Sequence, residues 1–194
     1  MNFMFALLIQ RNQIKMKTKT KRILTILNVT SWIIFLGLCV KTGALLYSFF
    51  VSLVLNPPAA ENLHLGLDLS NLYQHDTGHY TVVVSLIIFL SGLKAYLFYL
   101  VVRIFMKINF VHPFSTEVSV LISRISYVAI GIGLLTFCAN GYCAWLTKQG
   151  VVFPDLQNYL GGAGEFLLLG AIIFMISQVF RKGIEIQSEN DLTV

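Results

Sequence analysis

The sequence has 194 residues, of which 56% are hydrophobic and only 12% are charged, with a net charge of +5. A soluble domain carries roughly 25% charged residues, so this composition excludes a soluble globular protein and predicts one integral to a lipid bilayer. The excess positive charge flanks apolar runs, where basic residues set topology, which argues against direct binding of nucleic acid.

The N-terminal segment is apolar and then basic. Residues 1–14 contain no acid, and the segment 1–22 holds six basic residues: Arg11, Lys15, Lys17, Lys19, Lys21 and Arg22. A signal peptide places its charges before its apolar region, so this order excludes one. Two interpretations stay open for residues 1–15: an amphipathic segment on the cytoplasmic surface, or an over-long start ahead of Met16. We predict that residues 1–22 form a basic cytoplasmic N-terminus.

Four apolar runs predict a helical membrane domain over residues 23–183, with spans at about 23–55, 80–108, 115–147 and 159–181. A perpendicular crossing needs about 20 residues, so the first run either tilts or begins in the cytoplasm. Proline ends the first run at Pro57. Ser115 is the expected N-cap of the third helix, with Glu117 in its first turn near the positive end of the helix dipole.

The loop at residues 59–79 carries two weaker patterns. Leucines at every second position from Leu63 to Leu69 predict either a short strand or a segment lying on the bilayer surface. His75 and His79 are four residues apart, as in helical zinc sites, and His64 precedes them. Gly78 argues against the helix that this spacing requires, so we predict no metal site.

The basic residues orient the helices. Eleven of the fourteen lie on the predicted cytoplasmic side, only Lys148 lies in an outer loop, and Lys41 and Lys94 lie inside spans. This asymmetry is a strong positive-inside signal and predicts that both termini are cytoplasmic. The expected fold class is all-α: an integral membrane four-helix transmembrane bundle, N-in and C-in.

Apart from the charges near their cytoplasmic ends, the spans contain three charged residues: Lys41, Lys94 and Glu165. A charge at the bilayer centre costs about 2.5–3.5 kcal/mol on insertion scales, so each needs an explanation. The favoured one is a buried structural pair of Glu165 with Lys94 or Lys41. Snorkelling of Lys41 is a second, and an ion or proton path through the bundle is a third. A proton relay usually needs several acids or histidines in series, which these spans lack.

The sequence contains none of the motifs that would indicate an enzyme. Serine-nucleophile, Walker and dinucleotide patterns are absent, and no cofactor is predicted. The small residues Ala129 and Gly133, four apart in a span, are typical of close helix contact. Cys39, Cys138 and Cys143 all lie in apolar runs, where free cysteine behaves as a small hydrophobe.

Three stretches carry a family resemblance: residues 93–99 (LKAYLFY), 109–117 (NFVHPFSTE) and 183–194 (GIEIQSENDLTV). From Lys17 onward the chain resembles a bacterial family of four-span membrane proteins of unknown function, whose members commonly end in Glu-Asn-(Asp or Glu)-Leu-Thr-(Val or Ile). Such proteins are often encoded beside a Cro/C1-type helix-turn-helix regulator. The resemblance implies location in the bacterial cytoplasmic (inner) membrane and a candidate partner, but no activity and no oligomeric state.

The C-terminal tail, residues 184–194, is the expected partner-binding segment. It ends in Glu189, Asn190, Asp191, Leu192, Thr193 and Val194. Its apolar residues have nothing of their own to bury against, so we expect an extended peptide that adds a strand to a partner or docks in a groove of its own bundle. The leading hypothesis is a non-enzymatic regulatory or scaffolding protein that binds the helix-turn-helix regulator. The alternative is a small transporter or ion-conducting bundle using Lys94, Lys41 and Glu165.

Overall fold

The structure, a computed structural model, describes residues 2–108 and 115–192, and side chains within 22–56, 58–108 and 115–189. Every regular element in these ranges is helical, which confirms the all-α prediction. The elements are α1 (Asn2–Val54), a 3-10 helix (Pro57–Glu61), α2 (Ser70–His75), α3 (Thr77–Lys107), α4 (Thr116–Lys148), α5 (Gln157–Leu160) and α6 (Ala163–Leu192).

Four helical segments are long and apolar enough to cross a membrane: Arg22–Val54, Thr77–Lys107, Thr116–Lys148 and Gln157–Glu189. The prediction of four helices able to span a membrane is thereby confirmed. The second and third begin and end within three residues of their predicted bounds. Ser115 caps α4 as predicted, because its side chain accepts a hydrogen bond from the backbone N–H of Val118.

The helices pack in sequence order as a row. α1 packs on α3, α3 on α4 and α4 on α6, and the described residues show no extensive contact between α1 and α6 that would close a ring. Neighbours are antiparallel, as shown by contacts such as Phe35 with Tyr99 and Ser52 with Tyr80. The first turns of α1 and the last turns of α6 therefore lie at the same end. This end also carries Arg103, Lys107, Arg124, Arg181 and Lys182, and we call it the basic end.

The closest helix pair, α4 and α6, meets at glycines. A Cβ atom added to Gly170 would lie 2.5 Å from Cγ1 and 2.9 Å from the backbone nitrogen of Ile130. On the other helix, a Cβ atom on Gly133 would lie 2.9 Å from the carbonyl oxygen of Ala163. The prediction of close helix contact is confirmed for Gly133, and Gly170 supplies the matching small residue on α6. Ala129 is fully buried.

The loop at residues 59–79 folds over the opposite end of the row without a strand among its described residues. Leu63, Leu67 and Leu69 are buried, whereas Leu65 is 86% exposed at a φ of 45°. Hydrogen bonds from Leu67 N to the His64 carbonyl and from Leu63 N to the Leu67 carbonyl close a turn. The alternating leucines thus belong to a packed turn, so the strand interpretation is wrong, and a position of this turn on the bilayer surface stays a prediction.

His79, just after this loop, forms hydrogen bonds that connect α3 with α4. It is in the first turn of α3, where its backbone N–H donates to the Asp76 carboxylate at 2.8 Å. That hydrogen bond is the main cause that holds the pKa of Asp76 below its usual value. The Nδ1 atom of His79 lies 2.7 Å from the Tyr142 hydroxyl of α4. His79 thereby joins the N-terminus of α3 to the C-terminal part of α4.

Candidate functional site

Lys41 of α1 and Lys94 of α3 occupy the same height in the row. The Phe35–Tyr99 ring contact lies on one side of this level and the Ser52–Tyr80 hydrogen bond on the other, which fixes the register of the two helices. Both lysine side chains are partly buried. The structure therefore brings together two of the three charges that the sequence analysis singled out within the spans.

The lysines donate to backbone carbonyls of α5. Lys41 Nζ lies 3.1 Å from the carbonyl oxygen of Asn158, and Lys94 Nζ lies 3.3 Å from that of Tyr159. The next carbonyl, of Leu160, accepts a hydrogen bond of 2.9 Å from Nδ2 of Asn140 on α4. Three consecutive carbonyls are thus held by side chains from three different helices. We call α5 with these three donors the clamp.

Helix geometry explains why cations gather at the clamp. The last carbonyls of a helix have no intrahelical partner and carry the negative end of the helix dipole. α5 is only four residues long, and the chain leaves it through Gly161 and Gly162, the latter at a φ of +86°. The side chains of Lys41, Lys94 and Asn140 donate hydrogen bonds to these carbonyls. The positive charges of the two lysines are also favourable at the negative, C-terminal end of the helix dipole.

Tyr159 is the centre of the clamp. It is 6% exposed, and its hydroxyl donates to the carbonyl of His64 at 2.6 Å, which ties α5 to the loop before α2. Lys41 Nζ lies 4.3 Å from the centre of its ring, within the range of a cation–π contact. Lys94 Nζ lies 5.5 Å from the ring centre of Phe166. Carbonyl dipoles and ring faces, instead of a carboxylate, surround the two ammonium groups.

The predicted pairing of Glu165 with Lys94 or Lys41 is wrong. Glu165 is exposed in the first turn of α6, where the helix dipole favours a carboxylate, and it forms no ion pair with either lysine. The ion pairs found within the described side chains are Lys107–Glu117 and Lys182–Glu185. The lysines are instead turned towards α5, whose carbonyls take the place expected for the acid.

Sequence reasoning missed two members of the clamp, Asn140 and Tyr159. Asn140 was detectable in principle, because it is an isolated amide within the apolar run of α4. The acceptors were not detectable, because backbone carbonyls carry no sequence signal. Only the termination of α5 at Gly161 and Gly162 hints at orphan carbonyls in this stretch.

The C-terminal segment continues α6 as a helix through Leu192. The extended conformation expected for the tail is therefore wrong as far as Leu192, and the predicted boundary at residues 183–184 lies inside a continuous helix. Ser188 Oγ donates to the Glu185 carbonyl at 2.7 Å, and Ile186 is 51% exposed. The side chains of Asn190, Asp191 and Leu192 lie outside the described residues, as do Thr193 and Val194 entirely.

The comparisons with known proteins identify a family but no activity. A family model described as a protein of unknown function (DUF2975) matches residues 64–194, about two thirds of the chain. The match starts after the first span and includes the clamp, apart from Lys41, and the C-terminal helix. No curated protein and no solved structure gives a significant match.

Proposed function

The chain belongs to the DUF2975 family of unknown function, and we propose that it is a non-enzymatic regulatory or scaffolding protein of a bacterial cytoplasmic membrane. Both termini would lie in the cytoplasm, where the basic end would hold a protein partner. The observation that carries the proposal is the continuation of α6 beyond the end of its neighbour α4.

The register of α4 and α6 defines this extension. Ser126 donates to the Gly170 carbonyl at 2.9 Å, and Arg181 shares a cavity with Thr116, the first residue of α4. Because the helices are antiparallel, residues beyond about Glu185 have no α4 residue opposite them. The seven residues from Ile186 to Leu192 continue as a helix for roughly 10 Å.

The chemistry of the extension suits a basic partner. Residues 186–194 contain two acids, Glu189 and Asp191, and no basic residue. The half-exposed Ile186 adds an apolar anchor. A helix of this kind docks in a groove of its partner, which replaces the strand addition expected from the sequence.

The family resemblance suggests a helix-turn-helix regulator as the partner. Such proteins carry a basic face towards DNA. An acidic helix that occupies this face would compete with DNA, so binding at the membrane would withdraw the regulator from its operator. The mechanism we propose is therefore sequestration.

A helix-breaking substitution tests the proposal without removing the tail. Ser188→Pro deletes a backbone donor inside the extension and costs the helix about 3 kcal/mol, whereas Ser188→Ala leaves the helix intact. Full-length protein, both variants and a version ending at Gln187 would be purified in mild detergent and mixed with a helix-turn-helix regulator of the kind that the family resemblance suggests. We expect the full-length protein and Ser188→Ala to retain the regulator and the other two to lose it.

The proposal would be refuted if the truncated protein and Ser188→Pro retained the regulator to the same extent as the full-length protein. A second measurement follows operator DNA in the same mixtures. Sequestration requires that the full-length protein displace the regulator from DNA, so a stable ternary complex would contradict the mechanism while leaving partner binding intact.

A further inference from the structure

A cavity of about 480 Å³ lies between α4 and α6 at the basic end. Two arginines line it, Arg124 from α4 and Arg181 from α6, together with the hydroxyl-bearing residues Thr116 and Ser119. Its remaining wall includes Val120 and Tyr127, which are 45% and 62% exposed. The cavity therefore combines two guanidinium groups with an apolar wall that is open to the side.

The carboxylates of this end form their ion pairs with lysines. Glu185 lines the cavity itself and is paired with Lys182 at 2.8 Å, and Glu117 lines an adjoining cavity and is paired with Lys107 at 3.0 Å. Within the described side chains, neither Arg124 nor Arg181 forms an ion pair. Arg103, in an adjoining cavity that Arg124 also lines, lies 6.0 Å from the ring centre of Tyr99. Because Glu185 is paired with Lys182, the two guanidinium groups leave an excess of positive charge where α4 and α6 meet.

We propose that this cavity binds the phosphate headgroup of an anionic phospholipid. Guanidinium groups form paired, charge-assisted hydrogen bonds with phosphate oxygens, and the hydroxyl groups of Thr116 and Ser119 can add further donors. The wall formed by Val120 and Tyr127 suits an acyl chain. Basic pockets between membrane helices are a known setting for acidic lipids.

The exposed apolar wall decides between a lipid and a free anion. A site for a free phosphate or nucleotide would enclose its ligand and would gain nothing from exposed Val120 and Tyr127. A lipid brings its own chain to that wall, because α4 and α6 are both membrane-spanning segments. The inference needs only this membrane location, and it holds whether or not a regulator binds the C-terminal helix.

The test compares two pairs of substitutions that each remove two positive charges. Arg124→Gln with Arg181→Gln removes both guanidinium groups from the cavity, whereas the control, Arg22→Gln with Lys148→Gln, removes exposed charges on α1 and at the far end of α4. Native mass spectrometry of the full chain in non-ionic detergent would measure binding of added phosphatidylglycerol and phosphatidylcholine. We expect phosphatidylglycerol to bind the cavity variant roughly thirtyfold more weakly than the wild type, and the control to be unchanged.

Equal binding of both lipids by the wild type would overturn the proposal, as would equal binding of phosphatidylglycerol by the wild type and the cavity variant. Arg124→Lys with Arg181→Lys keeps the charge but loses the paired hydrogen bonds, so we expect intermediate affinity and unchanged helix content. This variant keeps the test decisive if the glutamine pair fails to fold. Displacement of phosphatidylglycerol by millimolar inorganic phosphate would instead assign the cavity to a free anion and refute the lipid site.

Discussion

Lys94 lies inside a span without an acidic partner, and a backbone carbonyl and an aromatic ring stabilise its charge there. Its ammonium group donates a hydrogen bond to the backbone carbonyl of the buried Tyr159 and faces the ring of Phe166. Lys41 repeats the arrangement one carbonyl earlier, on the exposed Asn158. At the scale of residues, the two lysines act as C-caps that hold α5 between the helices.

We therefore expect Lys94→Met to destabilise the protein more than Lys41→Met. The first change leaves the carbonyl of a buried residue without its donor, at a cost of about 1–3 kcal/mol, whereas the carbonyl of Asn158 lies on an exposed residue. Lys94 is only partly buried, so methionine relieves little desolvation in return. Thermal unfolding in detergent measures the difference, with Lys148→Met as the exposed control.

A Lys94→Met protein as stable as the wild type would contradict the capping role. If that protein also lost its biological function at normal abundance, the lysine would serve transport, as the alternative from the sequence holds. Glu165 gives no support to that alternative, because it is exposed and forms no ion pair with either lysine.

At the scale of elements, the predictable features were those with strong local signals. Ser115 starts α4 as an N-cap, and the bounds of α3 and α4 follow from apolar runs between polar turns. The C-terminal end of α6 was misjudged because no residue from Gly183 to Leu192 forces a helix to stop. α5 was missed because four residues are too few for a periodic pattern, and its packing depends on residues distant in sequence.

The α4–α6 contact provides a matched pair of glycine substitutions. Gly170→Ala places a methyl group against the backbone nitrogen of Ile130, whereas a Cβ atom at Gly164 on the same helix meets nothing within 4 Å. We expect Gly170→Ala to lower the free energy of unfolding by about 1–3 kcal/mol through overpacking. Gly164→Ala should raise it by up to about 1 kcal/mol, because alanine favours the helix.

Both glycine variants are read out by thermal unfolding in the same detergent. The comparison cancels the general effect of alanine on helix stability, so the difference between them reports the closeness of α4 and α6. Equal midpoints for the two variants would show that the helices do not approach at Gly170.

At the scale of the whole molecule, the row has two inner helices and two edges. The most apolar windows of α3 and α4 are 39% and 44% buried, whereas those of the edge segments, α1 and the last span, are 6% and 11% buried. Water would make such exposed apolar edges unfavourable, but lipid chains are as apolar as the side chains they meet. The open row is therefore consistent with a bilayer as the surrounding medium.

Orientation in that bilayer is the last prediction, and it follows from where the charges lie. The basic end collects eleven basic residues by sequence, counting the N-terminal segment, whereas the opposite end has only Lys148 together with acids such as Asp76 and Asp155. Positive-inside bias then predicts that both termini lie in the cytoplasm. An alkaline phosphatase fused after Gly150 should be active in cells and one fused after Val194 inactive, with fluorescent-protein fusions giving the opposite pattern. Phosphatase activity at Val194 would mean that the basic end faces outward, and the sequestration of a cytoplasmic regulator would then be excluded.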